Sequence, residues 1–138
     1  MTISKYISDF ISNYLEGVIV STNHLEDGTN KYGLFKSPAR ETREYVDGSY
    51  EITEHYQFFA KQDGVSEVDR KDSDEFLEEL VYWMDDYSHE YGYPEIDGGR
   101  EVTNISVTGS PYSLDVENNN EVVYQIMLNI TYTRNREV

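Results

Sequence analysis

An α+β domain, a mostly antiparallel sheet with two helices packed on one face, is the architecture these 138 residues predict. Three observations lead there. Two segments repeat apolar residues at three- and four-residue spacing, several others alternate apolar with polar residues, and the order is helix, strands, helix, strands.

Taken in order, Ile3, Ile7, Phe10, Ile11 and Tyr14 define an amphipathic helix from Thr2 to Leu15, ended near Gly17. Val18 to Ser21 reads as the start of a short strand. From Thr22 through Gly33 and Pro38 no period is visible, so residues 22–42 are expected to form an irregular loop. Arg43 to Val46, the turn signal Asp47-Gly48 and an alternating stretch to Lys61 predict a hairpin. On its second strand Tyr50, Ile52, Tyr56, Phe58 and Ala60 share one face, with Glu54 as the lone charged exception. The second helix is expected from Asp72 to Glu90. Asp72 and Glu75 stand at the spacing of a capping residue and its reciprocal partner, and Phe76, Leu77, Leu80, Val81, Met84 and Tyr87 form a wide apolar stripe. Gly92 and Pro94 end it. Strands follow at Val102 to Thr108 and Ser113 to Val116, then a turn at residues 118–120. The last strand, Glu121 to Arg134, has Val122, Tyr124, Ile126, Leu128, Ile130 and Tyr132 alternating without a break. With no repeat, linker or low-complexity stretch, residues 1–138 read as one domain.

Composition narrows the function. There are 27 acidic residues against 11 basic ones, a net charge of −16, which repels phosphate backbones and anionic lipid surfaces and argues against tight nucleic-acid binding or membrane association. The 14% aromatic content, including 13 tyrosines, supplies a core despite that charge. Cysteine is absent, which removes disulfides, thiolate metal sites and cysteine nucleophiles. The N-terminal stretch has neither a basic leader nor an apolar run, so a signal peptide and a spanning helix are not expected, and the protein is expected in the cytoplasm of its host.

Chemistry-bearing motifs are sparse. His24, His55 and His89 fall in three different elements, and neither a Gly-x-Ser-x-Gly elbow nor a phosphate-cradling Gly-x-x-x-x-Gly-Lys loop occurs. Asp85 and His89 have i,i+4 spacing, but one pair falls short of the three or four ligands a metal site needs, so no metal and no cofactor is expected.

The informative feature is how charge is distributed. Residues 63–97 hold 13 acidic and two basic residues, net −11, whereas residues 1–40 hold four of each. Two surfaces follow. Between Thr29 and Arg40 lie three cations without an acid, interleaved with large apolar groups: Lys31, Tyr32, Leu34, Phe35, Lys36 and Arg40. In a loop this is a basic, adhesive arm suited to docking on another subunit, or else a plug whose apolar residues enter the core. On the second helix, Asp74, Glu75, Glu78, Glu79, Asp85 and Asp86 form an acidic face, with the like-charged i,i+4 pairs Asp74/Glu78 and Glu75/Glu79 each unfavourable by a few tenths of a kcal/mol. A basic arm on the acidic helix of the next copy is a heterologous contact, the kind that closes into rings.

The run Tyr50-Glu51-Ile52 with Tyr56-Gln57-Phe58-Phe59-Ala60, the helix from Glu75 to Met84, the exit Tyr93-Pro94-Glu95-Ile96 and the final Tyr124 to Tyr132 resemble small minor capsid or tail-completion proteins of long-tailed bacteriophages. That family is similar in fold to tail terminator, or head-tail joining, proteins. The resemblance covers residues 43 to 134 and implies a structural virion component, not an enzyme, that forms a hexameric ring with itself where tail meets head. It also implies the tail tube and head-tail connector proteins as partners, with the host bacterial cytoplasm as the place of assembly. The alternative from composition is an acidic DNA-mimicking inhibitor of a host nuclease or restriction system.

Overall fold

The first helix, α1, runs Ile3–Tyr14. It starts because Thr2 is extended and its hydroxyl oxygen accepts the Lys5 N–H at 3.1 Å, satisfying one of the amides that a helix N-terminus leaves open. Ile3, Tyr6, Ile7, Phe10 and Ile11 are its buried stripe. Strands β1 (Val20–Thr22), β2 (Lys31–Glu44) and β3 (Tyr50–Asp63) follow, then helix α2 (Glu67–Glu90) and strands β4 (Arg100–Glu117) and β5 (Glu121–Arg134). This computed structural model describes residues 1–15, 19–25, 31–63, 67–90, 92–117 and 121–135, and their side chains apart from 62–63, 67–73, 88–90, 110–117 and 121–122.

The strands form one sheet in the order β1-β2-β3-β5-β4. Among the described residues β1 and β2 pair in parallel and the other three pairings are antiparallel. In β3 and β5 the alternation sets the faces: Ile52, Tyr56, Phe58 and Ala60 stand beside Tyr132, Leu128, Ile126 and Tyr124 in register, all buried. Both helices cover this face and touch each other, Phe10 and Tyr14 of α1 lying 4.8 and 4.7 Å from the Trp83 ring of α2. Helix α1 packs on β1 and β2, and α2 on β3 and β4. The fold class is therefore the α+β arrangement that the periodicities predict.

Three boundaries differ from the sequence reading. The expected loop over 22–42 is strand from Lys31 onward, the largest correction. Its period is hidden for two reasons. The register against β3 shifts between Lys36 and Arg40, so that three residues, Ser37-Pro38-Ala39, lie against His55 alone. Beyond that bulge the strand is exposed on both faces, so no apolar alternation marks it. Proline, which has no N–H to donate, sits in the bulge. Gly33 is also dictated locally, since a Cβ there would run into the backbone carbonyl of His24. Second, α2 is already helical at Glu67, so Asp72 lies inside the helix and cannot cap it with Glu75. Third, Val102 to Thr108 and Ser113 to Val116 belong to one strand, β4, whose pairing with β5 shifts register three times and passes through Gly109 at φ +81°. The expected turn at residues 118–120 lies outside the described residues. The hairpin turns at Asp47-Gly48 as expected, but one residue wider than the two-residue turn read from the sequence: the Tyr45 N–H donates to the Ser49 carbonyl at 2.8 Å and the Gly48 N–H to the Tyr45 carbonyl at 3.0 Å, which puts Val46 in the turn and Gly48 at a φ of +88°.

Candidate functional site

The six residues of the expected basic arm divide between core and surface once they lie on a strand. Tyr32 and Leu34 point to the helix-covered face, where Leu34 is fully buried and Tyr32 stacks against Phe58 at 5.9 Å. Phe35 is half-buried on the opposite face, edge-on to Phe59 at 5.2 Å. The apolar half of the arm is thus part of its own core and sheet. Lys31, Lys36 and Arg40 keep exposed side chains.

Lys36 has an internal task that sequence spacing did not reveal. Its Nζ lies 3.1 Å from Oε1 of Glu54, whose side chain is 5% exposed. The same carboxylate accepts the Tyr132 hydroxyl at 2.5 Å and the Tyr56 hydroxyl at 3.1 Å, and Ser4 of α1 reaches the Tyr56 oxygen at 3.5 Å. Burial pushes the Glu54 carboxyl up. The bonds from Tyr132, Lys36 and Tyr56, with the Lys36 charge, outweigh that and hold it below the ordinary carboxylate range. The charged residue that broke the apolar face of the predicted strand is a hydrogen-bonded, paired anion in the core. The signal was visible at Glu54, but its partner lay in the region read as a loop.

On the face of the sheet away from the helices, His55 is bonded through Nδ1 to the Asn129 side chain and through Nε2 to Glu41 at 3.3 Å, and Thr53 and Thr131 share a hydroxyl bond of 3.1 Å. These ladders connect neighbouring strands and, with the half-buried Gln57 and Phe59, make a mixed polar face that is buried at one end, at Lys61, Val123 and Gln125. Among the described residues no group of three or more His, Asp or Glu is placed to hold a metal, and the His89 side chain of the Asp85/His89 pair lies outside them. No helix among the described residues is long and apolar enough to cross a membrane.

The acidic face of α2 is present as a surface. Asp74, Glu75, Glu78, Glu79, Asp85 and Asp86 are all exposed, while Leu77, Leu80 and Met84 point to the sheet. At 3.6 residues per turn the six occupy about 140° of the circumference. Tyr82 stands among them, 56% exposed, donating its hydroxyl to Glu78 at 2.8 Å. Among the described residues none of the six is paired with a lysine or arginine. A surface groove of about 720 Å³ runs beside α2's exit, lined by Tyr93 to Ile96 and Arg100 to Thr103. The side chain of Arg100 is spent there on Asp97, at 2.6 Å, and on the Met1 carbonyl.

The core tyrosines have an alkaline signature. Burial pushes Tyr6 and Tyr132 up to about 12, the Glu54 carboxylate adding to the effect at Tyr132, and burial drives Tyr56 up as well. A phenol that holds its proton more tightly when folded contributes stability in full below the ordinary value of 10.0, and that stability is lost as pH rises towards 12. Titration of tyrosinate absorbance should therefore show Tyr6, Tyr56 and Tyr132 ionising last, together with loss of ellipticity. Ionisation of all 13 tyrosines in one step with the fold intact would contradict the buried network.

No protein-family model matches the chain, and no curated protein matches it.

Proposed function

We propose that this chain is a structural virion protein of the tail terminator or minor capsid type, acting as an oligomeric ring, hexameric by the resemblance, in head-tail joining or tail completion. The observation that carries this reading is the acidic face of α2: six exposed carboxylates of one sign, unrelieved by any described cation of the same chain. Like charges at i,i+4 destabilise an isolated helix, so the arrangement makes sense where a neighbouring subunit covers part of the face or where repulsion of DNA is useful. A ring that a duplex must pass should not hold its phosphates, and a protein of net charge −16 meets that condition. The α+β order of elements and the resemblance over residues 43 to 134 support the same class. Tail tube and connector proteins are the partners in this reading, and the virion tail or head-tail junction is the location.

Light scattering at high protein concentration, in low and high salt, tests it. A salt-sensitive oligomer is expected, with no retention of duplex DNA and with addition to purified tail tubes. A protein that stays monomeric and also ignores tubes overturns the ring. A DNA-mimicking inhibitor is the second reading, favoured by the same unpaired carboxylates; inhibition of a nuclease by a monomer would select it.

A further inference from the structure

The sheet gathers a basic surface that no single stretch of sequence contains. Of the expected arm, Lys36 is committed to Glu54, and Arg40 is left exposed without an ion pair among the described residues. Arg40 stands level with Glu54 and Ile130 on the helix-covered face. Four residues further along β5, on the same face as Tyr132, Arg134 stands level with Tyr50 and Arg100. Arg134 is likewise exposed and unpaired among the described residues. Arg40 and Arg100 lie close enough to Tyr132 for both charges to oppose the burial that pushes its hydroxyl up. The first turn of α1 lies over the same ground, with Ser4 3.5 Å from the Tyr56 hydroxyl and the Met1 carbonyl accepting from Arg100 at 2.6 Å. That turn contains no acidic residue, so the partial positive charge of the helix N-terminus adds to the patch. The carboxylates nearby are occupied: Glu54 holds Lys36, Asp97 holds Arg100 and the Met1 amine, and Glu44 has an interaction of its own.

The surface that complements this patch is on the same chain. Asp74, Glu75, Glu78, Glu79, Asp85 and Asp86 of α2 are exposed, and among the described residues none has a cationic partner. Their span fits as well. Arg40 and Arg134 are two strand spacings and four residues apart, about 16 Å. Asp74 and Asp85 lie nearly on one line of α2, and their eleven-residue separation also covers about 16 Å. Two guanidiniums of one subunit can therefore each meet a carboxylate of a single helix. Within one chain neither arginine is paired with an α2 carboxylate, so the neutralising contacts are left for another molecule. A net charge of −16 disfavours a nucleic acid in that place, whereas every further copy brings an acidic helix with it.

Resting on the ring reading, we infer that Arg40 and Arg134, with Arg100 behind them, receive the acidic face of α2 of a second copy. The contact joins two different surfaces and leaves each subunit with one of either kind unused, so copies add head to tail until the chain of contacts closes. It also places cations against the like-charged pairs Asp74/Glu78 and Glu75/Glu79, which the isolated subunit leaves unrelieved.

Exchanging the charges tests it. R40E/R134E and D74K/E78K/D85K should each weaken self-association about tenfold or more at low salt, with both melting temperatures close to that of wild type. An equimolar mixture of the two should associate as wild type does, because every contact between unlike variants joins opposite signs, and a six-membered ring can alternate them. R134E alone, four residues from the Glu54 row, should give part of the loss whatever R40E does to the fold. Association unchanged in either multiple variant, or a mixture no stronger than its components, overturns this contact while leaving the ring reading in place. Retention of duplex DNA by wild type that is lost in R40E/R134E assigns the patch to phosphates and overturns it as well. A protein monomeric at every concentration and salt, with and without tubes, overturns both.

Discussion

Leu34→Ala should lower stability by about 3 kcal/mol, within the range for truncating a fully buried leucine, and lower the melting temperature by about 10 °C. Leu34 has no exposed surface, pairs with Phe58 across the sheet and belongs to the main core cluster, so its loss leaves a cavity between sheet and helices that well-packed neighbours fill only in part. The outcome separates the two roles that the sequence left open for this stretch. A docking arm would lose assembly at constant melting temperature; a core strand loses folding first. Thermal unfolding followed by circular dichroism reads the difference, and an unchanged midpoint would return Leu34 to the surface.

The second large effect belongs to Lys36 and Glu54. Lys36→Met leaves a carboxylate buried without its cation and should cost about 2 to 3 kcal/mol, below the full range for a broken buried pair because the Lys36 ammonium is half exposed. The bonds from Tyr56 and Tyr132 remain and soften the loss. Adding Glu54→Leu to Lys36→Met should recover most of that stability, since an apolar pair of similar volume removes the buried charge altogether. Denaturant unfolding of the two single variants and the double gives the coupling. The pH dependence has a definite sign. The Glu54 carboxyl is held below its ordinary value of 4.5 in the fold, so its contribution is present above that value and is lost as pH falls through the folded one. Wild type should therefore lose more stability on acidification than the double variant K36M/E54L. Equal acid sensitivity would mean that the buried pair is not what titrates.

These two residues also mark where reading the sequence stopped. Element type was legible wherever a period persisted: α1 between Thr2 and Leu15, β5 from Glu121 to Arg134, and the inward face of β3, including Glu54 as its exception. Each signal is local, because a helix or a regular strand repeats its geometry every few residues. In β2 the run of buried residues stops at the Ser37-Pro38-Ala39 bulge, and the half beyond it, exposed on both faces, looks aperiodic. Interruptions of the same kind made β4 look like two strands. The start of α2 was misplaced because Asp72 and Glu75 imitate a cap within a helix that is already running.

The six carboxylates of α2 were legible as one surface because helical spacing alone gathers them. The basic stretch was legible as composition but not as a site. Whether Lys36 faces solvent or a buried anion depends on which strand lies beside β2 and in what register, and that is a non-local pairing. By itself the sequence determined the fold class, the helices, the strands with unbroken alternation and the concentration of acid in one segment, since each follows from contacts within a few residues. Only the tertiary structure decided that the basic arm is a strand and that Lys36 is bound within its own chain to a carboxylate shared with Tyr56 and Tyr132. Those facts depend on register across three strands, which no local spacing encodes.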